Sequence, residues 1–251
     1  MYQTIRGLIL RSVDYREADR LLTVLTEDRG CLLVKARGVR RKNSKQAAAC
    51  QLFTFSELTL YESKGRFILQ EAELLRFFSG LQADLSTLSL ASYLAEVLTN
   101  EAEDAPSDGA ALRLGLNCLF ALSEHLAPPE VIKAAFEVRY MGLSGYAPAL
   151  DACWICGKRE IEYPVVALEA GAVHCRQCLS PALSGKQSPL TPASRSAAQY
   201  LLQCDLKKIC SFRLPERDLR LLGQFSESYL LHRMERRFRT LDFYKSAGET
   251  Q

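Results

Sequence analysis

Over the first 80 residues, apolar and β-branched positions gather into runs of about eight residues between turn signals, a pattern that predicts strands. The runs are Thr4–Val13, Arg20–Thr26, Cys31–Val39, Phe53–Tyr61 and Phe67–Leu75. Glu27-Asp28-Arg29-Gly30 joins the second run to the third, and Glu62-Ser63-Lys64-Gly65-Arg66 joins the fourth to the fifth. Both are polar, glycine-bearing hairpin connections. The connection from Arg40 to Leu52 is longer. It opens with cations and continues as Gln46-Ala47-Ala48-Ala49-Cys50, which favours a helical turn. Five strands of this length predict a small closed barrel.

From Leu81 the apolar period becomes helical. Leu85, Leu88, Ala91, Tyr93, Leu94, Val97 and Leu98 recur at three- and four-residue steps as far as the acidic stretch Glu101–Asp104, and Pro106-Ser107-Asp108-Gly109 breaks the pattern. A second helix is expected from Leu112 to Leu126. Pro128-Pro129 opens a third, which turns Val131, Ala134, Ala135, Val138 and Leu143 toward a core and ends at Gly142 and Gly145. Residues 153–178 read as a compact metal-type module, and Ser180–Pro192 as a Ser/Pro/Gly-rich connection. Thr191-Pro192 supplies an N-cap with proline at the first helical position, and a last long helix runs from about Glu216 to Arg237. A barrel with a helical piece between its third and fourth strands has the element order of an oligonucleotide-binding (OB) barrel. The expected fold class is therefore α+β and multidomain. Residues 1–80 form an OB-like domain, and residues 81–251 form a mainly helical domain with an inserted zinc module at about 150–182.

At 251 residues and 48% apolar content, the chain is long enough to bury two cores. No stretch reaches the roughly 18–20 uninterrupted apolar residues of a bilayer span, and the N-terminus lacks the apolar centre of a signal peptide. A soluble cytosolic protein with no membrane partner is expected. Nine cysteines are an odd number for a disulfide framework, so in the cytosol paired Cys-x-x-Cys steps read as metal ligands. The net charge of +3 conceals a division along the chain. Residues 1–80 carry 14 Lys/Arg against 9 Asp/Glu, residues 81–150 carry 3 against 9, and residues 151–251 carry 15 against 11. Two basic ends flank an acidic middle, a layout that suits a polyanion meeting the ends as well as it suits ordinary solvated surface.

The most specific motif is Cys153-Trp154-Ile155-Cys156, followed after eighteen residues by Cys175-Arg176-Gln177-Cys178. Two residues between cysteines let both thiolates of a tight knuckle face one centre, and two knuckles complete a tetrahedron with bonds of about 2.3 Å to Zn²⁺. Gly157 helps the first knuckle turn. Four thiolates leave no open position for water or substrate, so the expected zinc, one per chain, is structural. It should add on the order of 10 kcal/mol to folding of its module. A redox Cys-x-x-Cys normally stands alone beside a βαβ unit, whereas this one has a twin. His174 is expected to face solvent, and Cys31, Cys50, Cys118, Cys204 and Cys210 to be buried structural thiols.

The second motif is the run from Lys35 to Lys45. It holds six cations in eleven residues (Lys35, Arg37, Arg40, Arg41, Lys42 and Lys45) and no acidic residue. Such density lets phosphates displace counterions, which gives affinity without sequence choice. At the rim of an OB-like barrel these six are the expected DNA contacts, with Gly38 allowing close approach of the backbone. Phe53, Phe55, Tyr61 and Phe67 are candidates for base stacking, although strand alternation sends at least half of them into the core. A third feature, Leu230 to Phe243, joins an apolar face to clustered arginines. It either caps the helical domain or forms a groove for an acidic peptide with a hydrophobic end. There is no glycine-rich phosphate loop and no His-Glu-x-x-His, and none of His125, His174 and His232 neighbours an evident nucleophile. The chain is not expected to be an enzyme.

Taken in order, these features resemble the RecO family of bacterial recombination mediators. The resemblance is carried by Arg6-Gly7-Leu8-Ile9-Leu10, by Tyr15-Arg16-Glu17-Ala18-Asp19 before Leu21–Thr26, and by Lys35-Ala36-Arg37-Gly38-Val39-Arg40-Arg41. Glu137-Val138-Arg139, Leu143-Ser144-Gly145-Tyr146-Ala147-Pro148 and Arg236-Arg237-Phe238-Arg239-Thr240-Leu241 complete it. It implies a protein that binds single- and double-stranded DNA and anneals complementary strands, including strands coated with single-stranded DNA-binding protein (SSB). It also implies partnership with RecR and RecF in loading RecA, contact with the SSB C-terminal tail, and a cytoplasmic, nucleoid-associated location. Many family members lack part of the four-cysteine set that this chain has complete, so the metal is not the family's shared centre. The sequence also leaves open a non-catalytic, zinc-containing interaction scaffold in which the basic loop is incidental.

Overall fold

The computed structural model describes residues 1–101, 107–179 and 185–248. The expected break at Pro106 and the first part of the Ser180–Pro192 connection lie outside them. Strands β1 (Tyr2–Tyr15), β2 (Asp19–Thr26), β3 (Cys31–Ala36), β4 (Thr54–Ser63) and β5 (Arg66–Phe77) close into a barrel of order β1-β2-β3-β5-β4. All neighbours are antiparallel except β3 and β5, which run parallel where Val34 and Lys35 face Phe67 and Ile68. This is OB topology. Alternation along the strands fills the interior: Leu22 and Val24 from β2, Leu32 and Val34 from β3, and Leu58 and Leu60 from β4 meet in one cluster. In β1 the register with β2 slips between Ile9 and Arg11, a bulge that lets Leu8, Ile9 and Leu10 all be buried in succession.

All five strands fall where the apolar runs predict. The helical turn expected at Gln46–Cys50 does not form. Hydrogen bonds from Arg41 to Gly38, Ser44 to Arg41 and Ala47 to Ser44, then Gln51 to Ala48, make a string of separate i→i+3 turns. A helix needs such bonds at consecutive residues, and here the donors are three or four residues apart.

Contacts group the chain into two compact units, residues 1–123 with those from Phe238 onward, and residues 124–237. Helices α1 (Leu85–Leu98) and α2 (Ala110–Ser123) therefore join the barrel. Gly115 makes this packing feasible, because a Cβ there would lie 2.8 Å from Leu98 and 3.5 Å from Leu8. Asp84 caps α1 by accepting from Thr87 N at 2.7 Å.

The second unit holds α3 (Pro129–Leu143), a three-stranded sheet of order β7-β6-β8, α4 (Pro192–Gln203) and α5 (Glu216–Met234). Its strands are β6 (Pro164–Ala167), β7 (Ala172–Cys175) and β8 (Gln187–Pro189). Thr191 caps α4 with Pro192 at the first helical position, as the sequence predicts, and Ser194 completes a reciprocal capping box beyond that expectation. Between α3 and α5, Lys133 lies 2.8 Å from Glu137 and 2.9 Å from Glu227, and Ser226 donates to Glu137 at 2.6 Å. Burial disfavours the Lys133 charge, but the two carboxylates outweigh it and hold the ammonium pKa above its ordinary value.

The run Leu230–Phe243 is not one helix. α5 ends at Glu235, which takes the left-handed conformation at φ 50°, and the chain restarts as α6 (Arg239–Gly248). Phe238 and Leu241 are buried in the first unit, where Phe238 meets Tyr93 edge to face at 5.7 Å between ring centroids. This part of the apolar face is a cap. Among the described residues no helix is long and apolar enough to cross a membrane.

Candidate nucleic-acid interface and metal centre

One end of the barrel carries the β1–β2 hairpin and the long β3–β4 connection. The two are stitched together by carboxylates that the basic run itself lacks. Asp19 accepts from Gly38 N at 2.9 Å and pairs with Lys35 at 3.3 Å, while Asp14 pairs with Arg40 at 3.0 Å and Arg20 at 3.2 Å. The backbone N–H of Arg40 donates to Ala18 at 3.0 Å, and its guanidinium to the Glu17 carbonyl at 3.2 Å. The Gly38 N–H, helped by Lys35 and Arg16 against the effect of burial, holds the Asp19 carboxyl below its ordinary range. Gly38 itself sits at φ +64°, and an added Cβ would make only an ordinary 3.5 Å contact with Arg41. Glycine is there for its dihedral rather than for close backbone approach.

The six cations thus divide into two sets. Lys35 and Arg40 are engaged by Asp19 and Asp14, whereas Arg37, Arg41, Lys42 and Lys45 stand exposed with no ion pair to a described residue. Of the four candidate stacking rings, Phe53 and Phe67 are buried in the barrel, and Phe55 and Tyr61 are half-buried. A ring not singled out from sequence stands at the cationic end instead. Tyr15 is 36% exposed, with Lys35 Nζ 4.8 Å and Arg16 5.3 Å from its ring centroid. The signal available was its place at the end of a strand facing a basic loop, which pairwise register makes visible and composition does not.

The second unit gathers all four paired cysteines. The first knuckle is shaped by Gly157 N donating to Cys153 O and Cys153 N donating to Lys158 O, each at 2.9 Å, with Gly157 at φ +71°. Cys175 is the last residue of β7, and the 3₁₀ turn Arg176–Cys178 brings Cys178 back beside it. The four sulfurs all lie within 4.8 Å of one another, and Cys156 Sγ is 3.8 Å from Cys175 Sγ. Bonds of about 2.3 Å in a tetrahedron give S···S edges of about 3.8 Å, so the cluster fits a thiolate-bound metal. Burial raises the Cys153 thiol, but N–H groups of Cys156, Cys175 and Ile155 outweigh it and bring the pKa to about 6. Cys178 is pushed up to about 12 by its hydrogen bonds to the neighbouring cysteines. Four thiolates this close need a cation among them.

Arg195 of α4 fixes the knuckle from behind. Nearly buried, it donates to the carbonyls of Leu150 at 2.6 Å, Asp151 at 2.5 Å and Arg159 at 2.8 Å, which bracket the first cysteine pair. His174 does not face solvent. It is 1% exposed, because β7 is buried along its whole length, and neither ring nitrogen has a protein partner. Cys31, Cys50 and Cys118 are buried as expected, and burial lifts the Cys50 thiol to about 11. Cys204 and Cys210 are only half-buried, since they follow the end of α4 at the surface. Elsewhere in this unit an open groove of about 720 Å³ has Leu168 and Leu231 in its walls and Lys186, His232, Arg236 and Arg237 among its polar lining.

A closed barrel of OB topology, joined to a mainly helical unit whose four clustered cysteines could hold a metal ion, defines a protein of the OB-barrel class with a cysteine-knuckle second unit. The family model described as Recombination protein O N terminal matches residues 1–78, and that described as Recombination protein O C terminal matches residues 82–242. The DNA repair protein RecO of Desulforudis audaxviator is 31% identical over 250 residues, covering 98% of this chain and 97% of the relative. Those of Heliobacterium modesticaldum (31% identity, 98% and 90% coverage) and Acetivibrio thermocellus (26%, 98% and 97%) align equally fully with this chain. The chain belongs to the RecO family of DNA repair proteins.

Proposed function

We propose that this protein is a non-catalytic DNA repair and recombination mediator of the bacterial cytoplasm, associated with the nucleoid. It binds single- and double-stranded DNA, anneals complementary strands even when SSB coats them, and with RecR and RecF helps to load RecA. The observation that carries the reading is the exposed cation set Arg37, Arg41, Lys42 and Lys45 at one end of an OB barrel. Lys35 and Arg40, held by Asp19 and Asp14, set the shape of the loop from which the four exposed cations meet phosphates. Residues 1–80 then form the OB-like nucleic-acid-binding domain, and residues 81–251 the helical domain with the zinc module at about 150–182.

The four-cysteine cluster holds one Zn²⁺, since an all-sulfur tetrahedral set suits that ion and closes its coordination shell. When bound, the metal supplies charge compensation and a cross-link between the knuckles. Cys153, Cys156, Cys175 and Cys178 are its ligands, and Arg195 orients the peptide that carries the first two. The groove lined by Leu168, Leu231, Lys186 and Arg237 takes the SSB tail, because its apolar walls and cations complement an acidic peptide with a hydrophobic end.

Annealing of complementary oligonucleotides, followed by fluorescence quenching, tests this function. The protein should accelerate annealing without nucleotide, should continue to do so on SSB-coated strands, and should lose that second effect with SSB lacking its tail. Binding of naked DNA without acceleration of annealing in any arm would replace the mediator reading with a zinc-containing scaffold.

A further inference from the structure

The tip of the first knuckle displays the chain's one tryptophan. Trp154 is 68% exposed, and Ile155 and Tyr163 are exposed in the same module. The ring is not on a loose loop. Trp154 N donates to Val173 O at 2.9 Å, which ties the tip to β7, and the Gly157 and Cys153 N–H groups close the turn beneath it. A ring displayed by a fixed backbone loses little conformational freedom when something stacks on it. The same module contains an open pocket of about 390 Å³ lined by Lys158, Tyr163, Arg176 and Gln177 among others. Lys158, Arg159 and Arg176 are exposed with no ion pair to a described residue.

We propose that this tip is a second contact for single-stranded nucleic acid, with a base stacked on Trp154 and phosphates met by Lys158, Arg159 and Arg176. An indole face is sequence-tolerant toward bases, and only a single strand offers an unstacked base to it. The neighbouring cations supply backbone contacts. Glu160 and Glu162 are exposed nearby, so the cations act as individual donors rather than as a uniform field, and the ring carries recognition. A protein interface fits less well. Trp154 and Ile155 lie between Cys153 and Cys156, and Gly157, Lys158, Arg159 and Glu160 follow, which leaves an isolated platform rather than a broad apolar patch. The inference rests on the DNA-handling reading above, and it gives an annealing protein a second, separate hold on a strand.

Because the chain has a single tryptophan, intrinsic fluorescence reports on this site alone. The full-length, metal-loaded protein is titrated with an oligothymidylate, with anisotropy of a labelled oligonucleotide measured in parallel. Saturable quenching of Trp154 emission, absent for duplex DNA and weakened by Lys158→Glu with Arg176→Glu, is the expected result. With the barrel cations Arg37, Arg41, Lys42 and Lys45 changed to Ala, Trp154→Ala should weaken the residual binding by roughly 5- to 100-fold, and Trp154→Phe should largely restore it. Metal content of one ion per chain in each variant shows that the knuckle has kept its fold. Oligonucleotide binding by anisotropy with unchanged Trp154 emission overturns this site while leaving the barrel reading intact. No binding by either measure overturns both. Emission that responds to SSB or RecR but not to oligothymidylate makes the tip a protein contact and also overturns the proposal.

Discussion

Changing Arg37, Arg41, Lys42 and Lys45 together to alanine should lower the slope of log affinity against log salt for single-stranded DNA by about 2.8, four phosphate contacts at roughly 0.7 each. The number comes from the division of the six cations. Lys35 and Arg40 already have Asp19 and Asp14 at 3.3 and 3.0 Å, so each is neutralised within the protein and displaces few of the counterions condensed on the DNA. Lys35→Ala and Arg40→Ala should therefore leave the slope nearly unchanged and lower affinity at every salt concentration alike, through loss of the loop's shape. Between 50 and 200 mM salt, the wild type should lose about 50-fold more affinity than the quadruple variant, since a fourfold change in salt raised to the power 2.8 is about 50. Anisotropy titrations at five salt concentrations on one unstructured oligonucleotide give the slopes directly. The reasoning fails if the Arg40→Ala slope falls as far as that of Arg41→Ala, because the carboxylate pairing would then have no bearing on which cations meet phosphate.

Replacing Cys153 and Cys156 by serine should abolish bound metal and unfold residues 124–237, removing on the order of 10 kcal/mol from that unit. Hydrogen exchange should show β1–β5 still protected, and loss of barrel protection in the same variant would contradict the division into two units. Lys133→Met removes the cation that Glu137 and Glu227 share, which should cost about 3–5 kcal/mol in urea unfolding. The pKa of Lys133 is raised by folding, so its contribution is complete below the ordinary lysine value of roughly 10.5 and is lost as pH rises through the raised value. The wild type should thus lose stability at alkaline pH more steeply than Lys133→Met, and parallel pH profiles would contradict the assignment.

The five barrel strands, five of the six α-helices among the described residues and the cysteine knuckles were legible in the sequence because each is written in local chemistry, whereas the short strands β6, β7 and β8 were not. Period-two alternation in Thr54–Ser63, the Thr191-Pro192 cap and the two-residue cysteine steps depend on neighbours only a few positions away. The helical turn at Gln46–Cys50 failed for the opposite reason. Alanine propensity is worth only tenths of a kcal/mol per residue, and the segment is held by partners distant in sequence, such as Ser12 Oγ donating to Cys50 O and Gln46 Nε2 donating to Gln70 O. The last long helix, expected to about Arg237, ends at Met234 with Glu235 left-handed, and what the sequence did not show is α6 beyond it and the packing of Phe238 on Tyr93, 145 positions away in sequence.

By itself the sequence determined the barrel, the helical region and the four-cysteine cluster, since short-range pattern and ligand spacing suffice for each. Only the tertiary structure decided which charges are free. A run of six cations with no acid among them reads as uniform until β1, β2 and β3 pair and bring Asp14 and Asp19 against Arg40 and Lys35. The same closure placed Tyr15 at the cationic end, and the fold of the metal module buried His174 while leaving Trp154 in water. Exposure and ion pairing are properties of which segments meet, and between exposed charges electrostatic energies are largely screened beyond about 10 Å. Residues far apart in the chain set them, so no reading of neighbours along the sequence contains them.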